Sequence, residues 1–280
     1  INDQGMSISA LEYTENGEPK ITAQADKVLS VLDFGTWALG NFKTIKELRQ
    51  AIDQSGIQVW LPRIKSMANL ITPVHFAIFD RTGDAAVIEF TNGKLNIYEN
   101  TVGVMTNNPP FPWHLTNLQN YAGLTNVDKN RGQFNKMKVI APDAGGALRS
   151  LPSSNMSADR FIKAAYYSAY AEKAKTPDVA ILTLSHLINN FDRPAGITID
   201  EPGSGGRGES LPSKKPTSEV TYYSFIRDLS QNHFYIRPIT MMNFVKFDMQ
   251  KLSSLKAVKV VSFNTLSKYT NFDGADLFLK

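Results

Sequence analysis

The sequence predicts an α+β fold in which two antiparallel sheets pack together and helix pairs cover the outside. Three observations carry that prediction. The hydrophobic period switches between alternation and helical spacing, so the elements run strands, two helices, strands, two helices, strands. Turn chemistry at Asp80-Arg-Thr-Gly83 and Thr91-Asn-Gly93 joins the middle strands as antiparallel neighbours. With 280 residues, 42% of them hydrophobic, the chain has enough apolar surface for one large domain or two small ones.

Met6 to Tyr13, MSISALEY, alternates as a strand. Thr22 is expected to cap a helix whose broad apolar face carries Val28, Leu29, Val31, Leu32 and Trp37. Thr44-Ile-Lys-Glu47 reads as a capping box opening a second helix, with Leu48 and Ile52 inward and Gly56 just past its end. Trp60 to Pro73 shows no clean period and is expected to be an ordered loop. Strands follow at Val74 to Phe79, Ala85 to Phe90 and Lys94 to Tyr98, and the short apolar run Val102 to Thr106 is expected to complete the meander. Asn107 and Asn108 then stand before Pro109 and Pro110, which cannot donate to a ladder.

Trp113 to Tyr121 has a helical pattern, and the polar, glycine-rich stretch from Gly123 to Pro152 reads as a long surface excursion. Ser157 is expected to cap a helix from Ala158 to about Lys175. Thr176 followed by Pro177 starts another, running to about Phe191. After a loop from Pro194 to Pro216, strands are expected near Val220 to Arg227, His233 to Pro238, Phe244 to Phe247 and Ala257 to Phe263.

Composition narrows the function classes. A net charge of +4 without clustered basic residues or interleaved aromatics argues against nucleic acid as a partner. No run of eighteen apolar residues predicts a membrane span, and no signal peptide pattern is visible. Zero cysteines exclude disulfides and thiolate metal sites within these 280 residues. The start at Ile1, within a turn-like Asn2-Asp3-Gln4-Gly5, suggests an N-terminal segment missing from the chain.

Several motifs have two readings. Gly203-Ser-Gly-Gly206-Arg-Gly208 matches G-x-G-x-x-G but lacks the preceding strand and following helix of a dinucleotide site, so it reads as a mobile loop. His75, His114, His186 and His233 lie in separate elements without metal-ligand spacing and read as structural, so no metal or cofactor is predicted. No G-x-S-x-G elbow supports a serine hydrolase. Asn107 and Asn108 are turn formers or presented amides, and Arg160 is a surface charge or a partner for Asp159 or Glu172.

The stretch VMTNNPPFPWHLTNL resembles the TNxPxFxWHxxNL segment of the choloylglycine hydrolase and penicillin V acylase family of N-terminal-nucleophile cysteine amidases. Asn2-Asp-Gln-Gly5 and the strand after it resemble the family's N-E-K-G-L stretch. Trp37-Ala-Leu-Gly-Asn41-Phe42-Lys-Thr44-Ile-Lys-Glu47 resembles its helical hairpin, and Ser157-Ala-Asp-Arg160-Phe161 its S-x-x-R-F helix start.

The resemblance implies an αββα four-layer sandwich, with residues 1–280 forming a single domain that lacks its N-terminal strands. It implies hydrolysis of a linear amide in a small N-acyl compound, of the conjugated bile salt or penicillin V type, through a cysteine acyl-enzyme. The nucleophile would lie before Ile1, together with an arginine and an aspartate. An inactive family member acting as a binding or structural domain is the alternative. By position, Asn107 and the main-chain N–H of Glu12 would be oxyanion donors, and Arg160 would supply positive charge beside the nucleophile and its aspartate partner. Glu12 stands where many relatives carry Asn or Tyr, so its side chain is expected to point away from the pocket or to pair with a cation. Trp60, Leu61, Met67, Leu70 and Phe111 line an apolar acyl pocket or pack in the core. The resemblance further implies a homo-oligomer, a tetramer, in a bacterial periplasm or cytoplasm.

Overall fold

The computed structural model describes residues 1–67, 69–203, 214–266 and 268. Strand β1 (Ser7–Glu12) opens the chain. The expected helix from Thr22 begins later, because Val28–Ser30 forms a short strand, β2, and Ser30 rather than Thr22 caps helix α1 (Val31–Asn41) by accepting the Leu32 N–H. Helix α2 (Ile45–Ser55) starts at Thr44, whose Oγ1 accepts the Glu47 N–H, and ends at Gly56 with φ +69°. The returning arm of the capping box goes to the Lys43 N–H, while the Asp80 carboxylate, at the tip of a hairpin, takes the Ile45 N–H at 2.8 Å.

Residues 58–71 hold short ladders, β3 (Gln58–Trp60) parallel to β2 and β4 (Arg63–Ile64) against β5 (Leu70–Ile71). Strands β6 (Val74–Phe79), β7 (Ala85–Glu89) and β8 (Asn96–Glu99) then complete an antiparallel sheet of order β1-β6-β7-β8.

The expected fifth strand, Val102 to Thr106, forms no strand pairing among the described residues. Gly103 takes φ +71° in a turn wrapped by Asn100, which accepts the Gly103 N–H and donates to the Val104 carbonyl, so Val102 to Thr106 leaves the sheet. The run is apolar because Val102, Val104 and Met105 pack into a core, not because it pairs with a strand.

Helix α3 (Phe111–Leu118) follows, then a surface hairpin of β9 (Arg131–Phe134) and β10 (Met137–Ile140) inside the predicted excursion. Helix α4 (Ser157–Tyr170) includes Ser157 as its first residue and stops before Glu172 to Lys175, whose exposed side chains give a helix nothing to pack against. Helix α5 (Pro177–Ile188) is capped by Thr176 with proline at its first position. A two-residue pair, β11 (Ile199–Asp200) with β12 (Thr217–Ser218), precedes the second antiparallel sheet: β13 (Tyr223–Asp228), β14 (His233–Pro238) and β15 (Val245–Asp248). Single-turn helices α6 (Met249–Leu252) and α7 (Phe263–Leu266) close the described chain. Residues 257–262, expected as a strand, have no strand partner among the described residues, and Val258 and Val260 are almost fully exposed. The glycine-rich match at 203–208 lies largely outside the described residues.

Alternation on β7 explains the layering. Ala86 and Ile88 face a core shared with Phe34 of α1 and Leu48 of α2, whereas Val87 faces a second core shared with Phe111 of α3 and Phe161 of α4. The two sheets are tied together by Arg227 Nη1 of β13, which donates to Ser9 Oγ of β1 at 2.8 Å, and α5 packs on β13. Helices α1 and α2 therefore cover one face of the first sheet, and its other face meets α3, α4 and the second sheet, on which α5 packs. Among the described residues no helix is long and apolar enough to cross a membrane.

Candidate active site

Three of the sequence-predicted residues meet at the open edge of the first sheet. Tyr13 N–H donates to Pro73 O at 3.1 Å, so the antiparallel alternation turns the N–H and C=O of Glu12 away from β6. Since β1 is an edge strand among the described residues, both groups point out of the sheet. The Asn107 side chain stands there, its Nδ2 donating to Glu12 O at 2.9 Å. Its Oδ1 accepts from Arg160 Nη2 at 2.8 Å. These two partners leave only one sensible orientation of the amide, with oxygen toward the cation and nitrogen toward the carbonyl. An amide nitrogen carries two hydrogens, and the second has no acceptor among the described residues.

The backbone of Asn107 is held as firmly. Its N–H donates to Ser157 Oγ at 2.9 Å, and its carbonyl accepts from His114 Nε2 at 2.9 Å. Ser157 is thus not the cap of α4; its hydroxyl joins the helix start to this loop and donates to Thr106 Oγ1. Asn108 has a different job, because its amide bonds Thr14 N–H, Thr14 Oγ1 and Glu15, which fastens the turn to the segment after β1.

Arg160 does not pair with Asp159, which accepts from Ser154, and it makes no ion pair among the described residues. Its Nε shares the Asn155 carbonyl with Arg193, which is itself paired with Glu219. Burial, reinforced by repulsion from Arg193 and opposed by Glu219, pushes the Arg160 guanidinium down to about 10, still cationic at neutral pH. Strand alternation sets the Glu12 side chain on the face of Ile8 and Ala10, opposite Leu11. The residue is exposed overall and has no cation partner among the described residues, and partial desolvation of the carboxylate together with the charge of Glu219 raises its pKa.

The expected apolar lining divides. Leu61 and Phe111 are 1% and 0% exposed and belong to the two cores, the packing alternative of their reading. Trp60 is 47% exposed, and Met67 and Leu70 are partly exposed. Their loop is tied to the site's surroundings by Asn16, whose Nδ2 donates to Thr72 O at 2.9 Å.

Sequence reading missed Glu89, which is completely buried. One Glu89 oxygen accepts the Phe111 N–H at 2.9 Å, taking the place of a cap that Pro110 cannot supply, and lies 3.2 Å from His75 Nδ1. The signal was present, since a symmetric hairpin about Asp80 to Gly83 sets His75 opposite Glu89, one step beyond the Phe76–Ile88 pair. No group of three or more metal-ligating side chains occurs among the described residues.

This arrangement of a presented amide, an anchoring arginine and an open strand edge sits within a match to a known family. Residues 1–261 match the model of the linear amide C–N hydrolases, choloylglycine hydrolase family. The chain belongs to this family. Among curated relatives of this choloylglycine hydrolase family member, the bile salt hydrolase/transferase of Clostridium perfringens is 29% identical over 201 residues, 71% of the chain and 60% of the relative. The penicillin V acylase of Pectobacterium atrosepticum is 28% identical over 215 residues, 72% of the chain and 51% of the relative. The chain thus spans little more than half the length of these two relatives. The crystal structure of a mutant conjugated bile acid hydrolase from Clostridium perfringens superposes with a TM-score of 0.75 at 25% identity, covering 90% of the chain and 72% of that structure. Penicillin V acylase from Agrobacterium tumefaciens, at 21% identity and a TM-score of 0.66, shares the fold over 90% of the chain and 65% of its own length.

Proposed function

We propose that the protein hydrolyses the linear amide bond of an N-acyl compound, of the conjugated bile salt or penicillin V type, through a cysteine acyl-enzyme. The observation that carries this reading is the Asn107 amide, held by Arg160 and Glu12 O with one N–H left to donate beside the outward-facing Glu12 N–H. Two convergent donors of this kind are what a developing oxyanion requires. In the proposed reaction a thiolate adds to the acyl carbon and the carbonyl oxygen becomes an anion bound by Asn107 Nδ2–H and Glu12 N–H. The C–N bond then breaks as the amine takes a proton, and water releases the acid from the thioester. An α-amino group titrating near neutrality is suited to move those protons. Trp60, Met67 and Leu70 offer apolar surface for the acyl group.

The 280 residues contain no cysteine, so this reading places the nucleophile in sequence preceding Ile1. The same absence favours the second reading, a family member without catalysis that serves as a binding or structural domain. The test is to determine the sequence preceding Ile1 and to incubate the full-length protein with a glycine-conjugated bile salt, penicillin V and an N-fatty-acyl amide, measuring amine release. Release from at least one substrate, abolished by thiol alkylation, is expected. A full-length protein with no cysteine and no release refutes the proposal in favour of the second reading.

A further inference from the structure

Among the described residues the backbone that presents Asn107 has no strand neighbour, yet its carbonyls are not left to solvent. Thr106 O accepts from His75 Nε2 at 2.9 Å and Asn107 O accepts from His114 Nε2 at 2.9 Å. Two successive carbonyls are therefore each met by an imidazole, one from β6 and one from α3. Both rings are completely buried and clamped by stacking: His75 lies parallel to Tyr13 at 4.8 Å, and His114 lies against Phe161 at 4.6 Å.

The partners dictate where the protons sit. A carbonyl only accepts, so Nε2 of each ring carries hydrogen. In His75 the other nitrogen, Nδ1, lies 3.2 Å from a Glu89 carboxyl oxygen. In His114 the other nitrogen, Nδ1, is buried without a hydrogen bond among the described residues, and burial pushes the imidazole below its ordinary pKa, which keeps the ring neutral. Glu89 links the two, since the oxygen facing His75 also holds the first N–H of the helix that carries His114.

We propose that His75 and His114 are positioning residues for the Asn107 amide, holding the Thr106 and Asn107 carbonyls so that the side-chain N–H points into the site. The inference rests on the reading of Asn107 as an oxyanion donor. The rings reach Asn107 only through its main chain, so their loss acts on turnover rather than on substrate affinity. A misplacement of about 1 Å costs on the order of 10²-fold in rate.

The experiment compares His114→Leu with His114→Gln, and His75→Leu with His75→Gln, in the full-length protein. A glutamine Nε2 reaches the place of the imidazole Nε2 and keeps a donor there. The leucine variants are expected to lose about 10²-fold in kcat with KM little changed, and the glutamine variants to recover most of it. Folded leucine variants with wild-type kcat, or glutamine variants no better than leucine, overturn the proposal. Nitrogen-15 NMR of the unmutated protein supplies a readout independent of catalysis and of whether the leucine variants fold. Both rings should show the Nε2–H form, and the Asn107 side-chain amide signals should move in His114→Gln less than in His114→Leu. An Nδ1–H tautomer at His114 overturns the proposal. If the unmutated protein releases no amine, the amidase reading fails, and these NMR signals still decide whether the two rings position Asn107.

Discussion

Replacing Asn107 with Asp changes one atom and tests the donor directly. The Oδ1 that accepts from Arg160 at 2.8 Å is retained, so the side chain stays anchored, but the atom 2.9 Å from Glu12 O becomes an oxygen. Two acceptors then face each other where a hydrogen bond stood, a loss of about 1–3 kcal/mol in folding stability, partly returned by the new carboxylate–guanidinium pair. Catalysis loses more, because no hydrogen remains on that atom to meet an oxyanion. Removal of one such donor costs about 2.7–4 kcal/mol of transition-state stabilisation, or roughly 10²–10³-fold in kcat. The assay is amine release by the full-length protein at saturating substrate, with thermal unfolding measured alongside to separate lost folding from lost chemistry. Folded Asn107→Asp protein with turnover within a few-fold of the parent would refute the oxyanion role of this amide.

Other consequences are open to measurement. Ser157→Ala removes the acceptor of the Asn107 N–H and the donor to Thr106 Oγ1, and should lower unfolding stability by about 1–3 kcal/mol, read from the urea midpoint. Phe111→Ala should cost about 3–5 kcal/mol as a core cavity, whereas Trp60→Ala should leave the melting temperature nearly unchanged and raise KM; the reverse pattern would restore Phe111 to the pocket wall. His114 also predicts an acid response. Burial lowers its folded pKa below the ordinary value of 6.5, so the unfolded chain binds the proton more readily, and stability falls as pH drops from 6.5 toward the folded value. His114→Gln should flatten the pH dependence of the urea midpoint over that interval, and an unchanged slope would count against a buried neutral ring.

The loop carrying Asn107 shows how a segment stays ordered without a ladder. Asn100, His75, His114 and Ser157 satisfy in turn the Val104, Thr106 and Asn107 backbone groups that a neighbouring strand would otherwise have taken. Buried backbone groups need partners, and side chains can be aimed more variously than a strand edge. The arrangement frees the edge of β1 beside Glu12, which is where the amide is presented.

Short-range physics made much of the fold legible in advance. Alternation located β1, β6, β7 and β14, turn residues marked the hairpins between β6, β7 and β8, and Thr44, Gly56 and the Thr176-Pro177 pair bounded α2 and the start of α5. The roles of Asn107 and Arg160 were legible only through the family resemblance, because the residues alone read equally as a turn former and a surface charge. Tertiary structure decided what local pattern cannot. Val28–Ser30 became a strand because Gln58–Trp60 lay beside it, whereas Val102 to Thr106 and residues 257–262 found no strand neighbour among the described residues. Phe111 went to the core because Tyr98 and Phe161 met it there. The amide of Asn107 acquired its orientation from Glu12, 95 residues away, and Arg160, 53 residues away, while the carbonyl before it was claimed by His75 across 31. Which donor meets which acceptor over such distances depends on the packing of whole layers, and that is set only when the sheets and helices close on one another.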